Sequence, residues 1–351
     1  MAKRHYLTNY LSELPDFVFT YIEEYYTGES VNTQLGYSLD VRIFLNYLRQ
    51  FKFRNIEKNE DFTPQDMEKV TPSDLIRFKA YLREYETEYL SPAGKPVKRI
   101  CKNSAYGINR KLSAVRGLFI YLYKTEQLSQ NVTDKVDFAK LHQKIKKPLT
   151  SQETMLLIDV IYNGEKYFEG RTLTEYKNKK ERDIAIFTTY LGTGIRVSEL
   201  VNLQVTDIDF ETQSFIVTRK GGDQQEIFMP VQVSNALYDY LVKGKDPVRD
   251  SGPLFLGRSG KQLTTAAVEK TLKNYCHTVD ITHPDKTRPH ALRRTFACRL
   301  LEDGVDIKMV AELMGHKNIE VTHRYYAQYS SQKRREVMQN LDVLKLPDDE
   351  D

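Results

Sequence analysis

The sequence predicts a mainly helical chain of two domains with one small β-hairpin, and three observations carry that reading. The chain has 351 residues, beyond the size at which a single core usually keeps growing, so two domains are expected. Along most of its length apolar residues recur at i, i+3 and i+4, the helical period. One stretch, QSFIVTRKGGDQQEIFMPV, changes to period two. Phe215 and Val217 alternate with polar neighbours, Gly221-Gly222 marks a turn, and the chain returns through Ile227 and Met229, as a β-hairpin does.

The first domain reads as helices. NTQLGYSLDVRIFLNYLRQF sets Leu35, Leu39, Ile43, Tyr47 and Leu48 on one face, with Asn32 or Thr33 as the N-cap. TPSDLIRFKAYLREY opens on Thr71-Pro72-Ser73-Asp74, a helix start with Pro just inside it. SPAGKPVKRICKN reads as a basic loop. NSAYGINRKLSAVRGLFIYLYKTEQL follows, with Ile108, Leu112, Val115, Leu118, Phe119 and Leu122 apolar and Arg110, Lys111 and Arg116 on the polar face. The lysine-rich KLHQKIKKPLT, ending near Pro148, reads as the interdomain linker. The boundaries are therefore a helical domain at 1–142, a linker at 143–149 and a second domain at 150–351.

In the second domain TSQETMLLIDVIY starts a helix capped by Thr150 or Ser151, and KNKKERDIAIFTTYLGTGIRVSELVNL gives a helix, a Gly-Thr-Gly turn and another helix. After the hairpin the pattern is helical again, through TTAAVEKTLKNYC, RPHALRRTFACRLLEDG, DIKMVAELMGH, NIEVTHRYYA and SQKRREVMQNL. The acidic PDDED closes the chain.

Charge points to a polyanion. The balance, 52 − 48 = +4, says little. Its distribution says more. No acidic residue lies between Glu88 and Glu126, while Lys95, Lys98, Arg99, Lys102, Arg110, Lys111, Arg116 and Lys124 do. A second unopposed run holds Lys286, Arg288, Arg293, Arg294 and Arg299. The bland alternative for one such run in isolation is a solvated helix face, and the second run weakens it. Three widely spaced cysteines, Cys101, Cys276 and Cys298, argue against a disulfide framework and for a reducing compartment. MAKRHYLTNYLSELPDF lacks the apolar stretch of a signal peptide, and no run approaches the ~20 apolar residues of a membrane span. The expectation is a soluble, cytoplasmic protein.

The C-terminal HRYYAQYS sets two tyrosines side by side, with a third shortly after, in a chain that has 23. A tyrosine hydroxyl ordinarily titrates near ~10, so it attacks a phosphodiester only inside a basic, proton-managing pocket. Arginines must hold the phosphate, because the planar guanidinium donates two parallel hydrogen bonds and stays charged. Other groups must take the tyrosine proton and protonate the leaving oxygen. Each is on offer. Arg196 follows GTG at a helix start, where backbone N–H groups favour an anion. His290 and Arg293 lie three apart on one helix face. Lys220 sits beside the hairpin turn, His316 ends ELMGH, and Tyr325 comes nine residues later. Singly each is weak: an Arg after a turn usually pairs with an acid such as Glu199, and a Tyr in a helix usually packs.

Taken in order, LGTGIRVSELVNL, IVTRKGG, RPHALRRTFACRLLEDG and LMGHKNIEVTHRYYA resemble the signature boxes of the tyrosine recombinase (phage integrase) family. INRKLSAVRGLFIYL resembles its core-binding domain, so the resemblance runs from about residue 20 to about 340. Within the family the chain is most similar to Xer-type enzymes, especially the single-recombinase form of streptococci. The resemblance implies a two-domain clamp around duplex DNA, with a helical (SAM-like) core-binding domain and an α+β catalytic domain. It implies that Arg196 and Arg293 hold the scissile phosphate, Lys220 protonates the 5′-oxygen, His290 assists proton transfer, His316 donates to the phosphate, Glu199 orients its neighbours, and Tyr325 attacks to give a 3′-phosphotyrosine. Lys98, Arg99, Lys102, Arg110, Lys111 and Arg116 are the candidate DNA contacts. The covalent intermediate stores the bond energy, so no metal, ATP or other cofactor is implied. A homotetramer on two DNA sites is implied, with SQKRREVMQNL docking on a neighbouring protomer, together with a role in resolving chromosome dimers at cell division and a DNA translocase as a further partner. Two departures stand out. Arg294 occupies a position where the family often has His, and Tyr326 beside Tyr325 leaves the nucleophile to be decided by spacing from His316.

Three rival readings are weighed. Cys276, His277, His283 and His290 lie close in sequence but match no common zinc spacing. A non-catalytic DNA-binding regulator would explain the charge but not the complete catalytic set. A mobile-element integrase or a type IB topoisomerase would share the chemistry. Helix-like sequence begins almost at once, without the small β domain that many phage integrases carry, which favours the simple Xer form.

Overall fold

In the computed structural model the described residues are 7, 8, 10–28, 30–90, 96–141, 147–219, 221–244, 250–257 and 259–315, the side chains of 88–90 and 96 aside. Of the expected site, Lys220, His316 and Tyr325 lie outside them, as do NIEVTHRYYA and SQKRREVMQNL. The chain divides into two compact units, Met1–Gln143 and Lys144–Asp351.

In the first unit helix α1 (Val31–Phe51) packs along helix α3 (Ala105–Lys124), with the shorter α2 (Pro72–Tyr81) against them. Phe44, Leu48, Phe78, Val115, Leu118 and Phe119 form the centre of this core. The N-cap of α1 is Ser30, whose hydroxyl accepts the Thr33 N–H at 3.2 Å, not Asn32 or Thr33. Thr71 caps α2 as expected, with Asp74 reaching back to the Thr71 N–H at 2.9 Å.

The segment read as a basic loop is half of a β-ribbon. Helix α2 stops at Tyr81, short of the expected Tyr85, and strands β1 (Glu84–Leu90) and β2 (Pro96–Lys102) pair antiparallel. The cause is period-two sequence on both strands: Tyr85, Thr87 and Tyr89 alternate with Glu84, Glu86 and Glu88. Tyr85 and its cross-strand partner Cys101 turn toward the core, and Tyr85 rests on Tyr81 with ring centroids 5.3 Å apart. Asn103 closes the base of the ribbon, its amide group donating to Leu82 O at 2.7 Å.

In the second unit helix α5 (Lys180–Thr193) lies among α4 (Ser151–Tyr162), α7 (Val231–Lys243) and α9 (Pro289–Glu302). The short α6 (Val197–Asn202) follows α5 directly. The hairpin is β4 (Ser214–Thr218) and β5 (Gln224–Phe228), and a two-residue β3 (Ile208–Asp209) adds an antiparallel edge, in the order β3-β4-β5. Helix α8 (Thr265–Thr278) is held to α5 by the Tyr275 hydroxyl, which donates to the buried Asp183 carboxylate at 3.0 Å. Phe187, Tyr190, Phe215, Leu237, Leu272 and Leu292 belong to the main core. A smaller cluster, Ala297, Leu301, Val310 and Met314, joins α9 to α10 (Ile307–Leu313). The expected linker is fixed to this unit at its described end. Leu149 N–H donates to Thr295 Oγ1 at 3.0 Å, and Arg294 reaches Lys147 O at 3.5 Å.

Candidate active site

Four sequence-distant segments meet at the end of α10. The first is the turn between α5 and α6. Gly194 takes φ +61°, and a Cβ there would lie 2.3 Å from the Phe296 ring, so glycine meets both the backbone and the space requirement. Arg196 is the N-cap of α6 and Glu199 its N3 residue. Glu199 Oε2 accepts the Arg196 backbone N–H at 2.7 Å, and Oε1 accepts Arg196 Nη1 at 2.6 Å. The second segment is the hairpin, whose Arg219 donates from Nη1 to Glu199 Oε2 at 2.7 Å. The third is α9, with His290 exposed on its first turn and Arg293 buried one turn on. The fourth is the α10 end itself. Arg293 donates to Gly194 O at 2.6 Å and to Met314 O, while Arg196 Nη2 donates to Gly315 O at 3.1 Å. Two candidate phosphate-holding arginines therefore grip the residues that lead into His316.

Electrostatics follow from this packing. Burial alone would raise the Glu199 carboxyl, but the Arg196 backbone N–H and the two guanidinium groups outweigh it and hold the carboxyl below its usual range. Arg293 is pulled down to about 10, first by burial and then by the neighbouring Arg196, and stays charged at neutral pH. Tyr190, buried close to Arg293, is pushed well above the ordinary phenol value by desolvation, which disfavours it as a nucleophile.

The two basic runs are less free than their sequence suggests. On the ribbon Lys98 pairs with Glu86 at 3.0 Å and Lys102 with Glu84 at 3.2 Å, while Arg99 is exposed opposite Thr87. Arg110 is half exposed and holds the buried Asp40 carboxylate through both amino groups, at 2.6 and 2.9 Å. Lys111 is buried, its Nζ donating to Asn103 Oδ1 at 3.0 Å. Arg116 turns inward to Thr133 O and Val136 O at 3.0 and 2.7 Å and lies over the Phe138 ring. In the second run Lys286 is bound to both oxygens of Glu153 at 2.6 and 2.7 Å. Arg294 is buried and donates to Asp285 O at 2.8 Å. Long-range pairing, which sequence distance conceals, makes the difference. Cys276 is a core residue whose thiol burial pushes up to about 12, and no group of three metal-ligating side chains is present among the described residues.

Comparison with known proteins fits this geometry. The model of the phage integrase family matches residues 168–332, which hold all four converging segments. The tyrosine recombinase XerC of Caldanaerobacter subterraneus subsp. tengcongensis is 30% identical over 320 residues, covering 89% of this chain and 82% of that one. The chain belongs to the tyrosine recombinases. It is a site-specific recombinase, an enzyme of DNA strand cleavage and rejoining. The tyrosine recombinase XerS of Streptococcus mutans is 26% identical over 352 residues, covering 92% of this recombinase and 96% of its own length. Among solved structures, XerH bound to a palindromic difH substrate aligns with a TM-score of 0.64 at 17% identity, covering 88% of this chain and 80% of that one. The Tn1549 transposon integrase in complex with a circular intermediate DNA aligns with a TM-score of 0.63 at 22% identity, covering 92% and 99%. Both share the fold. Sequence reasoning missed Arg219, which stood in the shadow of Lys220. The signal was available: Arg219 continues the inward alternation of Phe215 and Val217, so its side chain was due to turn into the protein.

Proposed function

We propose that this recombinase cuts duplex DNA at a specific site with Tyr325 as the nucleophile. Arg196 and Arg293 hold the non-bridging oxygens of the scissile phosphate. The Tyr325 oxygen bonds to phosphorus as the P–O5′ bond breaks. The tyrosine proton is taken up with help from His290, Lys220 protonates the departing 5′-oxygen, and His316 donates to the phosphate. Attack by a 5′-hydroxyl of the partner duplex on the 3′-phosphotyrosine reverses these steps and reseals the strand. The observation that carries the reading is the joint grip of Arg196 and Arg293 on the chain at Met314 and Gly315, directly before His316. In the first unit, Lys98, Arg99, Lys102 and Arg110 are proposed to contact the DNA backbone, where such contacts position rather than read sequence.

The similarity to XerC and XerS supports resolution of chromosome dimers at cell division; the same proposal takes the cytoplasm as the compartment, a tetramer on two DNA sites as the working assembly and a DNA translocase as an activating partner. Integration of a mobile element is the second reading, favoured by the structural likeness to the Tn1549 integrase. Loss of the gene distinguishes them: unresolved dimers and filamentous cells on the first reading, a stranded element on the second.

The chemistry is tested on nicked duplexes carrying candidate sites, without metal or ATP, with wild type, Tyr325→Phe and Tyr326→Phe resolved on denaturing gels. The expected result is a covalent protein–DNA band lost only in Tyr325→Phe. Loss in Tyr326→Phe alone moves the nucleophile by one residue. DNA binding that is equal in all three proteins, with no covalent band on any site, supports the non-catalytic regulator.

A further inference from the structure

Glu199 is shared between two arginines, and only one of them belongs to the proposed phosphate clamp. Its Oε1 takes Arg196 and its Oε2 takes Arg219. Arg219 is 9% exposed, and its Nε donates to Gln225 Oε1 at 2.8 Å. Its Nη2 is buried without a hydrogen-bond partner among the described residues. Gly315, at φ +57°, lies against the same guanidinium, and a Cβ there would come within 2.6 Å of Arg219 Cζ.

The fold alone gives little reason for this residue. Position 219 continues an inward-facing series whose earlier members are Phe215 and Val217, so an apolar side chain would suit the pattern. An unsatisfied buried donor is destabilising, and buried ion pairs are often equalled or bettered by apolar replacements. What Arg219 adds is charge. Among the described residues of the cluster, Arg196, Arg219 and Arg293 surround Glu199, giving 3 − 1 = +2. A surplus of buried positive charge is self-repulsive until an anion joins it. When a phosphodiester is attacked, the five-coordinate transition state carries two negative charges on its non-bridging oxygens, which matches that surplus.

We propose that Arg219 is a positioning residue of the recombination reaction: it binds the second oxygen of Glu199, so that Glu199 orients Arg196 without cancelling its charge, and it supplies the third cation behind the phosphate. This rests on the assignment of Arg196 and Arg293 to the scissile phosphate. Arg219 acts through Glu199 and Gly315 and is not itself required to touch DNA.

The test is single-turnover cleavage of a nicked duplex by full-length wild type, Arg219→Lys, Arg219→Met and the double variant Arg219→Met with Glu199→Gln. Each is measured on a normal phosphodiester and on a methylphosphonate at the scissile position. Arg219→Met leaves a cluster charge of 2 − 1 = +1 and is expected to slow phosphodiester cleavage about tenfold or more. Arg219→Lys keeps the charge and should stay within about threefold of wild type. The double variant returns the charge to +2 and should recover most of the rate. The methylphosphonate transition state has one negative charge fewer, so there the gap between Arg219→Met and wild type should close to within about threefold. An equal loss on both linkages, with Arg219→Lys no better than Arg219→Met, overturns the inference and leaves Arg219 a packing residue. Should Arg219→Met fail to fold, Arg219→Lys and the double variant carry the same comparison. A wild type that forms no covalent complex on either linkage removes the reading on which the inference stands, a result distinct from failure of the Arg219 series alone.

Discussion

Replacing Arg116 by alanine separates two accounts of the basic face of α3. Sequence reasoning makes Arg116 a phosphate contact, whereas the structure makes it an internal strut. Its Nη2 serves two backbone carbonyls, Thr133 O and Val136 O, and its guanidinium sits 4.3 Å from the Phe138 ring centroid. A hydrogen bond from a charged donor contributes about 1.5–3 kcal/mol when well shielded, and a cation–π contact about 0.5–1 kcal/mol at an exposed site. Arg116 is half-buried, which puts each hydrogen bond near the low end, so alanine should destabilise the first unit by about 3.5 kcal/mol. The assay is urea unfolding of the full chain, with hydrogen exchange locating the weakened transition in residues 105–141. DNA binding is measured alongside as a function of salt. Removing one phosphate contact lowers the log–log slope by about 0.9. The structure predicts lost stability with an unchanged slope, and a reduced slope with unchanged stability would refute it.

Other substitutions test other parts of the molecule. Asp40 is buried beside Arg110, and desolvation raises its carboxyl to about 6 against the pull of Arg110 and Lys111. With the folded value above the unfolded one, the native state binds the proton more tightly. Its contribution is thus fully present below about pH 4 and lost as pH rises through about 6. Asp40→Asn should flatten that pH dependence and leave the first unit as stable as wild type at pH 8, or more so by up to about 3 kcal/mol; a less stable variant with the wild-type pH profile would count against the assignment. Gly315→Ala forces a Cβ into the left-handed region and against Arg219, a backbone strain of about 1–2 kcal/mol before any clash. Covalent-complex formation should fall about tenfold or more while site binding is kept, and wild-type cleavage would show that the glycine is dispensable. Deleting residues from Ser331 onward should impair pairing of two DNA sites more than binding to one, as native gels with one and two sites would report; equal loss of both would contradict tail-mediated assembly.

Helices with strong caps and clear periodicity were legible in the sequence, α2 with its Thr71 cap and α4 with Thr150 among them. So was the hairpin, because Phe215, Val217 and Ile227 alternate around two glycines. The β1–β2 ribbon was not, because its first strand continued a helical stretch and its turn residues suggested a loop. Arg196 and Arg293, named from their positions in the sequence, and Glu199, named from the resemblance, lie together in the fold. What spacing could not show is which charges meet across the fold. Asp40 and Arg110 are seventy residues apart, and Glu153 on α4 meets Lys286 in the turn before α9. A run of basic residues thus looks unopposed along the chain while several of its members, Lys98, Lys102, Arg110 and Lys286, are paired with carboxylates in space.

The way the α10 end is tied down has a consequence for the order in which activity can emerge during synthesis. The groups that anchor Glu312, Met314 and Gly315 are Gln225, Arg293 and Arg196, and all of them leave the ribosome earlier than the residues they hold. Tyr325 leaves later still. On the proposed assignment of Tyr325, a growing chain completes the arginine cluster before it makes the nucleophile, and a product truncated between Gly315 and Tyr325 should hold the cluster and cut no strand. With Tyr325 as the proposed nucleophile, every residue of the arginine cluster precedes it in the sequence, so strand cutting waits on synthesis of the last segment of the chain.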